Sequence, residues 1–155
     1  DPGNLGTIIR TADAAGATGV VVVEPSVDLY DPQAVRATMG SLFALPIVRL
    51  ADGAQLPRWG DGVRSAGLPL QMVASSARGA QLYYEADYRR PVALLVGSER
   101  HGLPQPVRES ADMRVRLPMA GRATSLNVAA ATAALVYEII RQRTGPSEPG
   151  SSRQP

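Results

Sequence analysis

Apolar runs separated by polar, glycine-rich segments divide the chain into strands that alternate with helices. Short runs rich in Val, Leu and Ile predict five strands, at residues 19–24, 46–50, 68–75, 91–97 and 113–119. Apolar residues at helical spacing, together with capping signals, predict helices at residues 4–17, 31–39, within 51–67, at 103–110 and at 124–143. This alternation predicts an α/β fold with a mostly parallel sheet and helices on both of its faces.

Three segments carry more specific signals. The run GVVVVE at 19–24 is continuously β-branched at its centre and predicts a strand buried on both faces. Asp31 followed by Pro32 predicts a helix start, with Asp31 as the cap and Pro32 in the first turn. The last residues, 144–155, have no apolar anchor and predict a disordered tail.

Composition narrows the class of protein. With 155 residues, 45% of them apolar, the chain fits one globular domain, over residues 1–143. No apolar run approaches the roughly 20 residues of a membrane span, and no secretion signal is visible, so we expect a cytoplasmic protein with no membrane partner. Cysteine is absent, which excludes disulfides and thiolate zinc sites.

The basic residues are unusual in kind. All 16 are arginine, although the formal net charge is only +2. Arginine binds phosphate bidentately and stacks on bases, so the bias suits an RNA-binding surface. A GC-rich genome also favours arginine codons, and that is the simpler explanation of the bias.

The common nucleotide-binding motifs are missing. No G-x-G-x-x-G follows a strand and no G-x-x-x-x-G-K-[ST] occurs, so neither a dinucleotide fold nor a phosphate loop is indicated. The one histidine, His101, follows an arginine in a glycine-rich loop, where a surface position is a simpler interpretation than a catalytic base. We therefore expect no metal site built on Cys and His.

The segment LLVGSERHGLP has the character of a ligand-binding loop. Val96 and Gly97 stand at the end of a buried strand, where open α/β sheets bind ligands. Gly97 and Gly102 allow a ligand to approach the backbone closely, and Glu99 lies between them. Taken alone, an ordinary turn with a solvated Glu99 is the simpler interpretation of this loop.

The segment RLPMAGRATSLN supplies a second wall for the same ligand. Leu117 and Met119 offer an apolar bed for an adenine, whose edge the backbone can read. Ser75, at the end of the 68–75 strand, is a further candidate with less support.

The same segment leads into the terminal helix through Ser125, Leu126 and Asn127. The free backbone N–H groups of a helix N-terminus favour a polar or anionic ligand. The alternative is that Thr124 or Ser125 is simply the N-cap, and capping and ligand binding are compatible here.

The opening segment DPGNLGTIIRTADAAGA places Asn4 and Arg10 on one predicted helix. The two side chains share roughly one side only if the helix begins after Asn4. An exposed charge is the usual role of a lone helical arginine, but Arg10 flanks an apolar face formed by Ile8, Ile9 and Ala12.

These three segments, in this order, resemble the three motifs of the SpoU (TrmH-like) family of RNA ribose 2′-O-methyltransferases, in the SPOUT superfamily. The resemblance implies a deep trefoil knot near the C-terminus and S-adenosyl-L-methionine as the cofactor. The residues and the resemblance together assign catalytic roles to Arg10, Asn4, Glu99, Ser125 and Asn127. They assign cofactor binding to Ser75, Val96, Gly97, Glu99, Gly102, Leu117, Met119, Ser125 and Leu126.

The implied reaction is methyl transfer from the sulfonium of S-adenosyl-L-methionine to a ribose 2′-hydroxyl. The donor is already activated, so the reaction needs no metal. The arginine that Arg10 matches has been cast in this family as the base. Arginine stays protonated in proteins, so we expect Arg10 instead to hold the adjacent phosphate and stabilise the developing alkoxide.

The resemblance also bears on the RNA partner. Residues 31–50 resemble the corresponding stretch of rRNA-modifying members more than that of tRNA-modifying ones, which favours rRNA as the substrate. Arg36 and Arg49 are candidate phosphate contacts, although an ordinary amphipathic helix and strand also account for them. Long members of the family carry an RNA-binding domain ahead of this point, and we expect one to be missing here.

The family resemblance implies a homodimer whose active site takes residues from both subunits. Apolar positions of the terminal helix cannot all face one core, which is consistent with a partner surface: Leu135, Val136, Ile139 and Ile140. Two alternatives stay open. One is a non-catalytic RNA-binding or ribosome-associated module that retains the fold, and the other is a different α/β nucleotide-binding enzyme.

Overall fold

The structure is a computed structural model that describes residues 1–98 and 101–144. These residues form helices α1 (Pro2–Ala14), α2 (Pro32–Ala37), α3 (Gln55–Ser65), α4 (Gln105–Glu109) and α5 (Val128–Thr144). They also form strands β1 (Val20–Val23), β2 (Ile47–Leu50), β3 (Gln71–Ser75), β4 (Gln81–Leu82), β5 (Val92–Leu95) and β6 (Met113–Arg116). Short 3₁₀ turns occupy Ser41–Phe43 and Tyr83–Glu85.

The strands pair in parallel, which confirms the predicted α/β class. β1 pairs with β2, and a second sheet has the order β4-β6-β3-β5. Within the second sheet, Ala74 lies opposite Leu95 and Ser75 lies opposite Val115. This register brings the carboxyl ends of β3, β5 and β6 to one edge of the sheet.

Helices cover both faces of the four-stranded sheet, as predicted. Met72 of β3 packs against Leu56 of α3 on one face, and the neighbouring Val73 packs against Leu135 of α5 on the other. Successive side chains of a strand point to opposite faces, so a short apolar run supplies both cores. All four of these side chains are buried.

A third cluster joins α1 and α2 to β1 and β2 around the buried Ile9 and Leu42. The two helices approach closely at Gly6, where a Cβ atom would lie 2.3 Å from the carbonyl oxygen of Ala34. Only glycine fits at that position, so Gly6 sets the α1–α2 distance.

The connection between β3 and β4 crosses over β6. Ser75 and Gln81 flank Val115 on opposite sides, although residues 76–80 alone join β3 to β4. A Cβ atom on Gly79 would lie 2.4 Å from the carbonyl carbon of Val115, and Arg116 Nη1 donates to the Gly79 carbonyl at 2.9 Å. The connection therefore passes close over the backbone of β6, and the knot that the resemblance implies stays a prediction.

Two helix starts differ from the predictions. α1 begins at Pro2 because the Asp1 carboxylate accepts a hydrogen bond from the Asn4 amide at 2.8 Å. α5 begins at Val128, not at Thr124, because the preceding loop lacks helical hydrogen bonds.

The buried character of β1 was also overestimated. Within β1 only Val22 is buried, and its neighbours are half-buried, because β2 is the only strand paired with β1 in residues 1–98 and 101–144. Thr144 still belongs to α5, and the rest of the predicted tail lies outside the described residues. None of the helices described has the length and apolar character needed to cross a membrane.

Candidate active site

Four of the predicted cofactor-binding residues lie at one edge of the sheet. Ser75 ends β3, Val96 and Gly97 follow β5, and Leu117 follows β6. Since β5, β3 and β6 are adjacent and parallel, these residues come together by register. The carboxyl edge of an open α/β sheet is where such folds hold their ligands.

The loop after β5 is closed on itself. Gly102 donates to the Ser98 carbonyl at 2.8 Å, and the His101 amide donates to Ser98 Oγ at 3.1 Å. A Cβ atom on Gly97 would lie 2.2 Å from the Gly102 carbonyl carbon, so the chain's own backbone fills that space. Position 97 therefore requires glycine because the backbone of Gly102 lies against it, and the predicted approach of a ligand to Gly97 stays a prediction.

The other residues of this loop have different roles. Gly102 has open space around it and is required by its φ of +66°. His101 is exposed, as expected for a loop residue. Glu99 lies outside the described residues, so its predicted roles stay predictions.

The loop between β6 and α5 forms an uncovered wall of this edge. Leu117 is half-buried, whereas Met119 and Leu126 are 37% and 46% exposed. Ser125 is also exposed and precedes the helix instead of starting it. Apolar side chains left open beside backbone polar groups suit a ligand with a flat apolar ring and polar edges.

Asn127 is the residue that begins α5. Its Oδ1 accepts hydrogen bonds from the amides of Ala129 at 2.9 Å and Ala130 at 3.3 Å, which makes it the N-cap. The alternative that Thr124 or Ser125 is the cap is therefore wrong.

The other end of the same amide reaches a second motif. Asn127 Nδ2 donates to Asn4 Oδ1 at 2.8 Å. This contact joins the start of α5 to the first turn of α1, so the first and third polar segments of the sequence meet through their asparagines.

Arg10 does not share this face of α1. Because α1 starts at Pro2, Asn4 and Arg10 are both helical, and six residues turn the side chains about 120° apart. The Arg10 side chain is exposed and makes no ion pair with any residue of 1–98 or 101–144. The structure thus brings Asn4 and Asn127 together and leaves Arg10 apart from them.

The two arginines predicted as phosphate contacts differ. Arg49 forms an ion pair with Glu24, and this hydrogen-bonded guanidinium holds the pKa of the Glu24 carboxyl below its usual value. Arg36 is exposed on α2 and has no ion pair within the described ranges. Only Arg36 is therefore available for a phosphate.

A sequence model of the SpoU rRNA Methylase family matches residues 1–137. The chain belongs to this family. The match spans the α1 segment, the loop after β5 and the start of α5, which are the three polar segments on which the resemblance rests.

Known SpoU proteins are similar over most of this chain. The 23S rRNA (uridine(2479)-2′-O)-methyltransferase of Streptomyces viridochromogenes is 44% identical over 92% of this chain and 50% of its own length. The 23S rRNA (guanosine(2553)-2′-O)-methyltransferase RlmP of Bacillus subtilis is 37% identical over 90% of this chain and 54% of its own. The chain spans about half the length of these curated relatives.

A solved structure extends this likeness to the fold. The SpoU methyltransferase AviRb from Streptomyces viridochromogenes, in complex with the cofactor AdoMet, has a TM-score of 0.88 at 43% identity. The superposed region covers 93% of this chain and 54% of the AviRb chain.

Some features of this SpoU chain were not reached from its sequence. The Asn4–Asn127 contact spans most of the chain, and local patterns do not report such distances. The exposure of Met39 and Phe43 was also missed. The sequence did contain a signal for this exposure. Gly40, in the segment TMGSLF, indicates a tight turn at this point instead of a continued helix.

Proposed function

We propose that this SpoU domain transfers a methyl group from S-adenosyl-L-methionine to a ribose 2′-hydroxyl of ribosomal RNA. The observation that carries the proposal is the edge formed by β5, β3 and β6. Two motif loops flank that edge and leave apolar side chains open beside it. The similarity to an AdoMet-bound SpoU structure and to 23S rRNA 2′-O-methyltransferases supports it.

The cofactor supplies an activated methyl group on a sulfonium. Leu117, Met119 and Leu126 would contact its adenine, and the backbone of Val96 and Gly97 would border it at the edge. The remaining assigned residues would complete the pocket: Ser75, Glu99, Gly102 and Ser125.

Residues of α1 would contact the RNA substrate. Arg10 would hold the phosphate next to the target ribose and stabilise the negative charge that develops on its 2′-oxygen while the hydroxyl proton passes to water. Asn4, fixed by Asn127, would orient the ribose. Alignment of the hydroxyl with the methyl group then supplies much of the acceleration.

The separation of Arg10 from Asn4 supports a site shared between two copies of the chain. α5 leaves an apolar strip uncovered, in which Tyr137 is 53% exposed and Ala130 is exposed. Leu135 and Ile139 of the same helix are buried in the core, whereas Val136 and Ile140 are half-buried. We propose that a homodimer packs on this strip and brings Arg10 of one copy to the cofactor edge of the other.

The relatives' greater length bears on RNA affinity. With a net charge of +2, this chain offers few clustered cations, and phosphate neutralisation supplies most non-specific RNA affinity. We therefore assign most RNA affinity and target choice to a domain outside these residues. Modification of rRNA also fits a cytoplasmic location.

The competing function is a non-catalytic RNA-binding module with the same fold. Titration calorimetry with S-adenosyl-L-methionine separates the two, since we expect micromolar-range affinity, roughly −8 kcal/mol. Met119→Glu should weaken this binding at least tenfold, because it puts a charge on the apolar wall. Tyr84→Glu, at a comparably exposed position after β4, should leave it unchanged. Absence of heat from the folded wild-type protein at millimolar cofactor would refute the proposed function.

A further inference from the structure

The most exposed large apolar side chain in the described part of the molecule is Phe43, at 82%. It is also the only phenylalanine of the sequence. Met39, four residues earlier, is 72% exposed. Two large apolar side chains this exposed, four residues apart at one turn, indicate a surface that contacts another molecule.

The backbone holds these two side chains outward. Met39 has a φ of +51° and Gly40 a φ of +96°, so two left-handed residues in succession end α2. A left-handed methionine is strained, and such strain persists only where the surrounding structure imposes it. On either side, Thr38 and Leu42 are buried, so the turn is anchored inward while Met39 and Phe43 project outward.

Arg10 lies at the same end of the α1–α2 pair. A Cβ atom on Gly3 would approach Gln33, and one on Gly6 would approach Ala34 and Ala37, so the contact advances along both helices together. Arg10 stands one turn beyond Gly6 on this face of α1. α1 also packs against the Ser41–Phe43 turn, where Ile9 and Leu42 share one cluster, so helical spacing places Arg10 on α1 beside this turn.

This surface, formed by Met39, Phe43, Arg10 and Arg36, is hereafter the aromatic shelf. Neither Arg10 nor Arg36 forms an ion pair within the residues described, whereas Arg49 on β2 is neutralised by Glu24. The acid nearest in sequence to Arg36 is Asp31, whose carboxylate caps α2. The acid nearest to Arg10 is Asp13, which forms no ion pair with it. The shelf thus combines a flat ring with two unpaired guanidinium groups.

We propose that the aromatic shelf binds an unpaired nucleotide next to the methylated ribose, with its base stacked on Phe43. Unstacked RNA bases are recognised on aromatic side chains, and arginine binds the adjoining phosphates bidentately. The inference rests on the proposed function and adds residues that select single-stranded RNA at the target. A second copy of this chain is a poorer occupant, because a two-fold interface would bring like-charged Arg10 and Arg36 groups together.

The test asks whether RNA binding depends on the flat ring of Phe43, on its apolar bulk alone, or on any exposed aromatic side chain. Phe43→Ala should raise the KM for target RNA about fivefold to a hundredfold, since a base stacked on an aromatic ring contributes that much to binding. Phe43→Leu should behave like alanine, because it keeps apolar bulk without a flat face. Phe43→Trp should retain wild-type KM within about twofold. Tyr84→Ala, an exposed tyrosine outside the shelf, serves as the matched control and should leave KM unchanged.

A direct binding measurement separates this proposal from the proposed function. The double variant Trp59→Phe, Phe43→Trp carries a single tryptophan, which lies on the shelf. In the absence of cofactor, an unstructured oligoribonucleotide should quench the fluorescence of this tryptophan. Quenching together with no cofactor binding would overturn methyl transfer and keep the shelf. The shelf is overturned by unchanged emission, by equal KM for the leucine and tryptophan variants, or by a Phe43→Ala protein that has become monomeric.

Discussion

Asn127 performs two tasks through the two ends of one amide. Its oxygen caps α5 and its nitrogen holds Asn4. Sequence alone could not choose among Thr124, Ser125 and Asn127 as the cap, because all three residue types cap helices well. The choice is made by the distant partner Asn4.

Separating the two tasks gives a first prediction. Asn127→Ser keeps a cap but cannot reach Asn4, so the free energy of unfolding, measured by thermal denaturation, should fall by only a few tenths of a kcal/mol. Asn127→Ala also removes the cap and should lower that free energy by about 1 kcal/mol. Both variants should lose most methylation of rRNA. An active serine variant would show that the Asn4 contact is dispensable for the reaction.

Arg10 gives the second prediction. Arg10→Ala should lower kcat by about a hundredfold or more, because it removes charge stabilisation specific to the transition state. Cofactor affinity should stay within a few-fold. Arg10→Lys should also be poor, since a point charge does not replace a bidentate fork. Arg58→Ala, an exposed α3 position, is the control, and wild-type turnover in both Arg10 variants would remove Arg10 from the mechanism.

Gly79 gives the third prediction. Gly79→Ala forces a methyl group into the Val115 backbone, at 2.4 Å from its carbonyl carbon, so it should destabilise the fold by at least about 2 kcal/mol. Gly62→Ala inside α3 meets no atom within 4 Å and should stabilise slightly. Chemical denaturation measures both, and equal stability of the two variants would contradict the close crossing.

At the scale of elements, the alternation of strands and helices was predictable because buried parallel strands are continuous apolar runs. The Asp-Pro signal that correctly predicted α2 also begins α1, where Asp1 is the cap. β4 was missed because Gln81 and Leu82 have no strand pattern of their own and pair only through their register with β6. The exposure of β1 was missed because apolar content does not reveal how many strands a strand will pair with.

The end of α5 is fixed by a buried carboxylate. Glu138 accepts hydrogen bonds from Arg141 and Gln142 at 2.8 Å, and Gln142 also binds the backbone of Ala86 and Tyr88. The Arg141 hydrogen bonds hold the pKa of Glu138 below its usual 4.5. This network ties the C-terminal turns of α5 to the segment before β5.

The fourth prediction concerns Glu138 and pH. A lowered folded-state pKa contributes stability above pH 4.5 that is lost as pH falls through the folded value. Glu138→Gln should therefore cost about 1 kcal/mol at neutral pH, a modest value because Arg141 is exposed. The difference from wild type should shrink in unfolding experiments below pH 4. A constant difference across pH would show that ionisation of Glu138 contributes nothing.

At the scale of the whole molecule, the positions of the polar segments after predicted strands allowed a shared site to be predicted, because the carboxyl ends of parallel strands lie at one edge of the sheet. The separation of Arg10 from Asn4 could not be predicted from the residues alone, because the direction of Arg10 depends on where α1 begins. A site completed by a second copy then becomes testable by complementation.

The fifth prediction mixes two proteins that are each impaired by a different substitution. Arg10→Ala keeps its cofactor wall and Met119→Glu keeps its arginine, so a mixed dimer has one intact site if the site is shared. Random pairing makes about half of the dimers mixed, and each mixed dimer has one intact site of two. The mixture should therefore recover roughly a quarter of wild-type methylation. The control mixes Arg10→Ala with Arg10→Lys and should recover nothing. No recovery in a confirmed mixed dimer would place each site within one chain.

The bridge over β6 also sets an order of events during synthesis. β3 and β4 leave the ribosome early, yet neither can bind the other, because the strand between them is made more than thirty residues later. Until β6 emerges, the middle of the sheet is a gap bordered by two unpaired strand edges, the kind of surface that invites aggregation. Residues 1–112 therefore cannot complete this sheet, and its folding waits for β6, which is followed by the segment that carries Asn127.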